Sequence, residues 1–357
     1  MDLKPKFLAT AIGSLPYADA DEAVAFVLDN LRDAPIWPQL PRLGMNEQME
    51  IQYSEGMPSC VIDREKSRMH FDTSSDSSEA FAAFYEAYMA AMDPDEGNGD
   101  CSAMAISPEF SKGVYAMEKA LKKRGGKLPF VKVQTTGPCS FALTITDQDK
   151  RAIYYNEEFR DMIVKALAMK CRWQIQKFKP YAENVICFID EPILSAFGSS
   201  TYISVKREDV VAVLAEVVDA IHAEGGIAGT HCCGNTEWSI LVDAGVDIVN
   251  LDAFQFGDTI SMYADSVKAL YARGGAIAWG IIPTSVEIRK QTAESLAAKL
   301  EGSFATLASK GVDMGAIVER SLVTPSCGTG SMDLEDAKKV FRMTAEVSAF
   351  MKKKHGF

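Results

Sequence analysis

Only four histidines are spread through 357 residues, and Lys and Arg nowhere gather into a basic stripe. The charge balance is negative instead, with 37 Lys plus Arg against 49 Asp plus Glu and a formal net charge of −12. Charge of this sign excludes nucleic acid and other polyanions as expected partners. No run approaches the roughly 18 apolar residues of a membrane-spanning helix, so no membrane segment is expected. No signal peptide is read either, because Met1, Asp2, Leu3, Lys4, Pro5 and Lys6 lead into only a short apolar stretch. The expected location is the cytoplasm. A G-x-G-x-x-G after the first strand-like run is missing, as is any G-x-x-x-x-G-K-[ST], which argues against a nucleotide-binding open sheet. Short internal repeats and low-complexity tracts are absent too.

What is present is an alternation. The chain is 47% hydrophobic, ample for a sizeable core. Short apolar runs end in Gly, Pro or polar residues, and longer amphipathic stretches follow them. That order is the signature of βα units around a parallel sheet. Strands are predicted over residues 7–12, 36–41, 103–107, 128–136, 184–189, 226–230, 246–251, 276–280 and 316–323. Helices are predicted over 22–31, 75–92, 157–178, 205–224, 236–244, 259–273, 293–309 and 334–351. Asp19 or Asp21 is expected to cap the first helix, and residues 93–97 to stop the second. About seven or eight units predict a single-domain (β/α)8 TIM barrel over residues 1–357, with a doubly wound open sheet as the rival. Residues 40–100 read as an insertion on that barrel, either a lid or a contact between copies in a homo-oligomer.

Eight cysteines without an export signal read as free thiols or metal ligands. In a parallel barrel the functional groups sit at the C-terminal ends of the strands. Those ends are Gly13-Ser14, Gly137-Pro138, Asp190-Glu191, His231-Cys233, Asp252, Pro283-Thr284 and Cys327. His231 and Cys233, two residues apart, share one side of an extended segment. An imidazole and thiolates suit Zn²⁺, and Cys327 offers a third donor. The bland reading of each cysteine is a small buried hydrophobe, and that reading is kept for Cys60, Cys101, Cys139, Cys171, Cys187 and Cys232. Asp252 stays open between a fourth ligand, an acceptor from a ligating imidazole and a helix cap. Asp190 and Glu191 are either a general base or a structural tie between loops. Gly13-Ser14 is either a close backbone approach with donors for a carboxylate or a plain turn.

Ile12-Gly13-Ser14-Leu15-Pro16, Thr136-Gly137-Pro138, Ile189-Asp190-Glu191-Pro192, His231-Cys232-Cys233, Asp252 and Pro325-Ser326-Cys327-Gly328 follow one another along nearly the whole chain. Together they resemble the catalytic half of cobalamin-independent methionine synthase. That family shares a superfamily with uroporphyrinogen decarboxylase and with zinc methyltransferases that work with corrinoid proteins. The resemblance implies zinc held by His231, Cys233 and Cys327, with Asp252 where the family has a glutamate ligand. It implies that Ile12, Gly13 and Ser14 bind the carboxylate of a thiol such as homocysteine, and that Asp190 binds its amino group. The activity implied is a methyltransferase in which zinc turns a small-molecule thiol into a metal thiolate, methylated by a methylcorrinoid or methylfolate. Asp190 or Glu191 would be the general base. The family's synthase has a further, N-terminal barrel, and the resemblance implies that this chain corresponds to the catalytic barrel alone. The second hypothesis is a metal-free lyase of the uroporphyrinogen decarboxylase type, although no Arg pair for a polycarboxylate lies beside Gly13. The third is a barrel whose zinc is structural.

Overall fold

The computed structural model describes residues 2–92 and 99–357, so the expected helix stop at 93–97 lies outside the described residues. The chain opens with strand β1 (Leu8–Ala9) and helix α1 (Ala20–Asn30). Asp19 caps α1 by accepting from the Glu22 N–H. An excursion follows, made of α2 (Met49–Ser54), the antiparallel pair β2 (Cys60–Asp63) and β3 (Arg68–Phe71), and α3 (Ser78–Met92). The alternation then resumes with α4 (Lys112–Arg124), β4 (Leu128–Thr136), α5 (Pro138–Thr144), β5 (Thr146–Asp147), α6 (Glu157–Phe178) and β6 (Ala182–Asp190). It continues with α7 (Arg207–Ala223), β7 (Ile227–Cys232), α8 (Trp238–Asp243), β8 (Ile248–Leu251), α9 (Ala253–Phe256), α10 (Ala264–Ala272) and β9 (Ala276–Ile282). The last elements are α11 (Ala293–Ser309), α12 (Met314–Glu319), β10 (Ser321–Pro325) and α13 (Leu334–His355).

Among the described residues, seven strands form one parallel sheet in the order β1-β10-β9-β8-β7-β6-β4. Every residue of β7, β8, β9 and β10 is buried, as expected of parallel strands covered on both faces. The sheet curls until one segment touches both of its edges. Residues 33–39 accept from Phe130 and Lys132 of β4 through the Asp33 and Pro35 carbonyls, and Gln39 exchanges bonds with Gly13 and Leu15. The strand predicted at 36–41 is therefore reduced to two bridges, Ile36 with Lys132 and Ser14 with Gln39. Pro35, Pro38 and Pro41 explain this, since proline brings no N–H to a ladder.

Two further expectations change. Residues 102–104 form a 3-10 turn in place of the strand at 103–107. The strand predicted at 316–323 begins as α12, capped by Asp313 accepting from Ala316, and turns extended only at Ser321. The apolar residues Ala316, Ile317 and Val318 are too few to show a periodicity that separates helix from strand. Helix α5 went unpredicted because it is short and buried nearly all round, so no polar face marks its period. Helix α4 was also unpredicted, although Val114, Met117 and Leu121 recur at helical spacing and are buried.

Register decides what faces the interior. Thr136 pairs with Asp190, Asp190 with His231, and His231 with Asn250. Partners in a ladder point to the same face, so these four side chains line up around one end of the sheet's concave side. Below them the interior is hydrocarbon, with Leu8, Ile186, Phe188, Ile227, Ile248 and Leu322 in one cluster.

Candidate functional site

His231 lies at the end of β7, Cys233 just beyond it, and Cys327 just beyond β10. Their ligand atoms all lie within 4.8 Å of one another. All three line a cavity of about 510 Å³, together with Ile12, Ser14 and Asp190. A cavity of that size suits a small-molecule ligand.

His231 is oriented by a neutral neighbour. Its Nδ1 sits 2.5 Å from Asn250 Oδ1. The Asn250 amide cannot be turned round, because its Nδ2 donates to Ala278 O and Thr324 Oγ1, both at 2.8 Å. Oδ1 must therefore accept, and Nδ1 must carry the imidazole proton. That leaves a lone pair on Nε2, which is buried and has no hydrogen-bond partner. A ligating histidine needs this tautomer, held from behind in this way.

The sulfurs of Cys233 and Cys327 lie within 4.8 Å of each other. Hydrogen bonding to Cys327 is the foremost cause that pulls the Cys233 thiol down to about 4. The same bond, with burial, pushes Cys327 well above the usual thiol range. An imidazole nitrogen without a partner and two converging sulfurs form a donor set that fits a thiophilic metal ion, with a position left for an outside ligand.

Asp252 stands outside this group. Its Oδ1 accepts from Gln255 N and its Oδ2 from Gln255 Nε2, both at 2.9 Å, so it caps α9. The imidazole acceptor is Asn250, which sequence reasoning missed. Its signal was present, as a polar residue in register with His231 inside an apolar strand.

Asp190 and Glu191 are separated by strand alternation. Asp190 faces the cavity, and its Oδ1 is buried without a partner. Burial raises its pKa, and the charge of Lys132 is the foremost influence opposing it. Glu191 turns the other way and is fully buried. It accepts from Cys139 N at 2.9 Å and from both Ser140 N and Ser140 Oγ at 2.7 Å. Burial pushes it up to about 7, with those bonds opposing. The expected base at Glu191 is corrected accordingly: this carboxylate holds the start of α5 and does not line the cavity. Gly137 is required there, since a Cβ on it would come within 2.1 Å of the Glu191 carboxyl carbon.

The Ile12-Gly13-Ser14 stretch divides similarly. Ile12 and Ser14 line the cavity. Gly13 instead makes room for Gln39 and Gln134, whose side chains a Cβ would meet at 2.3 and 2.9 Å. Ser14 Oγ accepts from Gly330 N at 3.2 Å, leaving its hydroxyl proton free to donate. Thr284 does not line the cavity; its N–H donates to Ser326 Oγ at 3.2 Å, beside Cys327. The excursion supplies a wall that the sequence did not specify, from Pro41, Arg42, Glu47, Gln48 and Met49. Arg42 ties this wall to the loop after β10 by donating to Met332 O at 2.7 Å.

No protein-family model matches the chain, and no curated protein matches its sequence. Solved structures do match. A methyltransferase from Methanosarcina mazei aligns with a TM-score of 0.50 and 13% identity, covering 96% of this chain and 98% of that one. A B12-independent methionine synthase from Shewanella sp. W3-18-1, in complex with selenomethionine, aligns with a TM-score of 0.44 and 15% identity over 67% of each chain. At these identities the likeness to the Methanosarcina protein is one of fold, and it extends over nearly the whole of both chains.

Proposed function

We propose that the chain is a zinc-dependent methyltransferase, in which a closed (β/α)8 barrel with residues 33–39 as its second strand position activates a homocysteine-like thiol. The observation that carries this reading is the convergence of the unpartnered His231 Nε2 with the sulfurs of Cys233 and Cys327 inside one cavity. Those three residues would hold the zinc ion. When bound, zinc supplies Lewis acidity that lowers the pKa of a substrate thiol.

The remaining work falls to the chain's own groups. Asp190 Oδ1, buried without a partner, accepts from the substrate ammonium. The Ser14 hydroxyl donates to the substrate carboxylate, with Ile12 packed alongside. The wall from residues 41–49 limits water at the reacting sulfur. Asn250 keeps the proton of His231 on Nδ1. The new sulfur–carbon bond forms as the donor–methyl bond breaks, and the electron pair leaves on the donor. That donor is a methylcorrinoid, free or carried by a partner protein, or a methylfolate.

Metal analysis of the purified protein, with Cys233→Ser and Cys327→Ser, tests the centre. The expected outcome is about one zinc per chain in the wild type, and folded, zinc-poor, inactive variants. A wild type without stoichiometric zinc sinks the mechanism and returns the lyase reading. Variants that unfold point to structural zinc. Methyl transfer to homocysteine from methylcobalamin and from methyltetrahydrofolate, run side by side, identifies the donor. Transfer from neither moves the assignment to another thiol or to a dedicated corrinoid protein.

A further inference from the structure

The inward face of β4 carries a side chain that the proposed chemistry does not use. Alternation along the strand places Thr136, Gln134 and Lys132 on that face. Lys132 is 0% exposed. Its ammonium has three protons to place. Gln134 Oε1 lies at 3.5 Å, and the Phe188 ring centroid at 4.3 Å from Nζ. Ile186, Phe188 and Ile227 make the surrounding interior hydrocarbon. Lys170, buried to the same degree, shows what a purely structural lysine looks like here: its Nζ donates to the Glu55 and Met104 carbonyls at 2.7 and 3.3 Å. Among the described residues, Lys132 has no such pair of acceptors.

A charge in hydrocarbon is costly unless another charge answers it. The register points to Asp190. Gln134 pairs with Phe188 and Thr136 with Asp190, so the Lys132 ammonium, at the level of Phe188, lies one inward position short of Asp190. Asp190 Oδ1 is buried and unpartnered. The influence is reciprocal. After burial, Asp190 is the foremost group acting on Lys132, which is pushed down to about 8, and Lys132 is the foremost group acting on Asp190.

We propose that Lys132 is a positioning residue: its ammonium, set inside the barrel beneath Asp190, is the counter-charge that keeps a carboxylate at Asp190 for the cationic amino group of the substrate. Only the identity of that amino group rests on the proposed function. The pairing of the two charges does not.

Two measurements on the full chain test this. The first is a double-mutant cycle of unfolding midpoints with Lys132→Met, Asp190→Asn and the double variant. Non-additivity is expected, with the double variant more stable than the summed single effects allow. Additive effects overturn the pairing, because a side chain that only fills space would give them. If Lys132→Met alone is not recovered folded, recovery of the double variant supports the pairing, and loss of both overturns it. The second is equilibrium binding of homocysteine against 4-sulfanylbutanoate, which keeps the thiol and carboxylate and lacks the ammonium. The wild type is expected to prefer homocysteine, and Lys132→Met to lower that preference about tenfold with zinc content unchanged. An unaltered preference in the variant overturns the proposal. A wild type with no preference overturns this role for Lys132 whatever the cycle shows. Absence of stoichiometric zinc would overturn the proposed function while leaving a non-additive cycle intact.

Discussion

Asn250 does for His231 what a carboxylate does in many metal sites, without adding charge. Its amide is locked by Ala278 and Thr324, so it chooses the imidazole tautomer. Asn250→Leu removes that choice and leaves Nδ1 buried without a partner. Zinc affinity is expected to fall about 10- to 100-fold, measured by competition with a chromophoric chelator. An unchanged affinity would show that the tautomer is set by other means. Asp190 and Glu191, adjacent in the chain, are expected to diverge as strongly in kinetics. Asp190→Asn should raise KM for an amino-acid thiol by about tenfold or more, the loss of one charge-assisted hydrogen bond. Glu191→Gln should leave KM near its wild-type value, because Glu191 does not line the cavity.

Helix α5 is where that second carboxylate acts. Seven residues are too few to be stable alone, and Glu191 satisfies two of the N–H groups at the start of the helix. The contact needs a residue without a side chain at Gly137. Gly137→Ala is expected to cost about 1–3 kcal/mol of stability by overpacking, read from a denaturant midpoint. A stability equal to wild type would mean that the Glu191 side chain can withdraw without cost. Thr136-Gly137-Pro138 was legible in the sequence as a strand end, and Pro138 at the first helical position was a start signal. The partner of that turn was not legible, since it comes from the next strand of the large sheet.

At the scale of the molecule, the excursion is fastened to helix α6 of the curled sheet's outer layer by a buried lysine. Lys170 on α6 reaches the carbonyls of Glu55 and Met104, beyond and behind the cavity wall at 41–49. Burial pushes Lys170 down from 10.5 to about 8. Below pH 8 the folded and unfolded chains both hold the proton, and the cost of burying it is present in full. Between pH 8 and 10.5 the unfolded chain binds a proton that the folded one has released, so stability rises with pH. Across that window the wild type is expected to gain about 3 kcal/mol relative to Lys170→Met. Chemical denaturation of both proteins at pH 7.5 and 10.5 checks this, and parallel curves would show that Lys170 keeps an ordinary affinity for its proton.

The order of chemistry-bearing residues along the chain was determined by the sequence alone. Alternating apolar runs and amphipathic stretches specify βα units, and side-chain alternation puts His231 and Cys233 on one face without reference to the rest of the fold. The long helices at 157–178 and 293–309 and the strand at 128–136 coincide with their predicted limits, because each has a strong local pattern. Tertiary structure decided the rest. It brought Cys327 to His231 across nearly a hundred positions, assigned Asp252 to a helix cap, turned Glu191 away from the cavity and set Asn250 behind the imidazole. It also placed Lys132 beneath Asp190. Each of these depends on register between strands distant in sequence. A shift of one residue would reverse every inward side chain, and no local pattern in a buried parallel strand records which register holds.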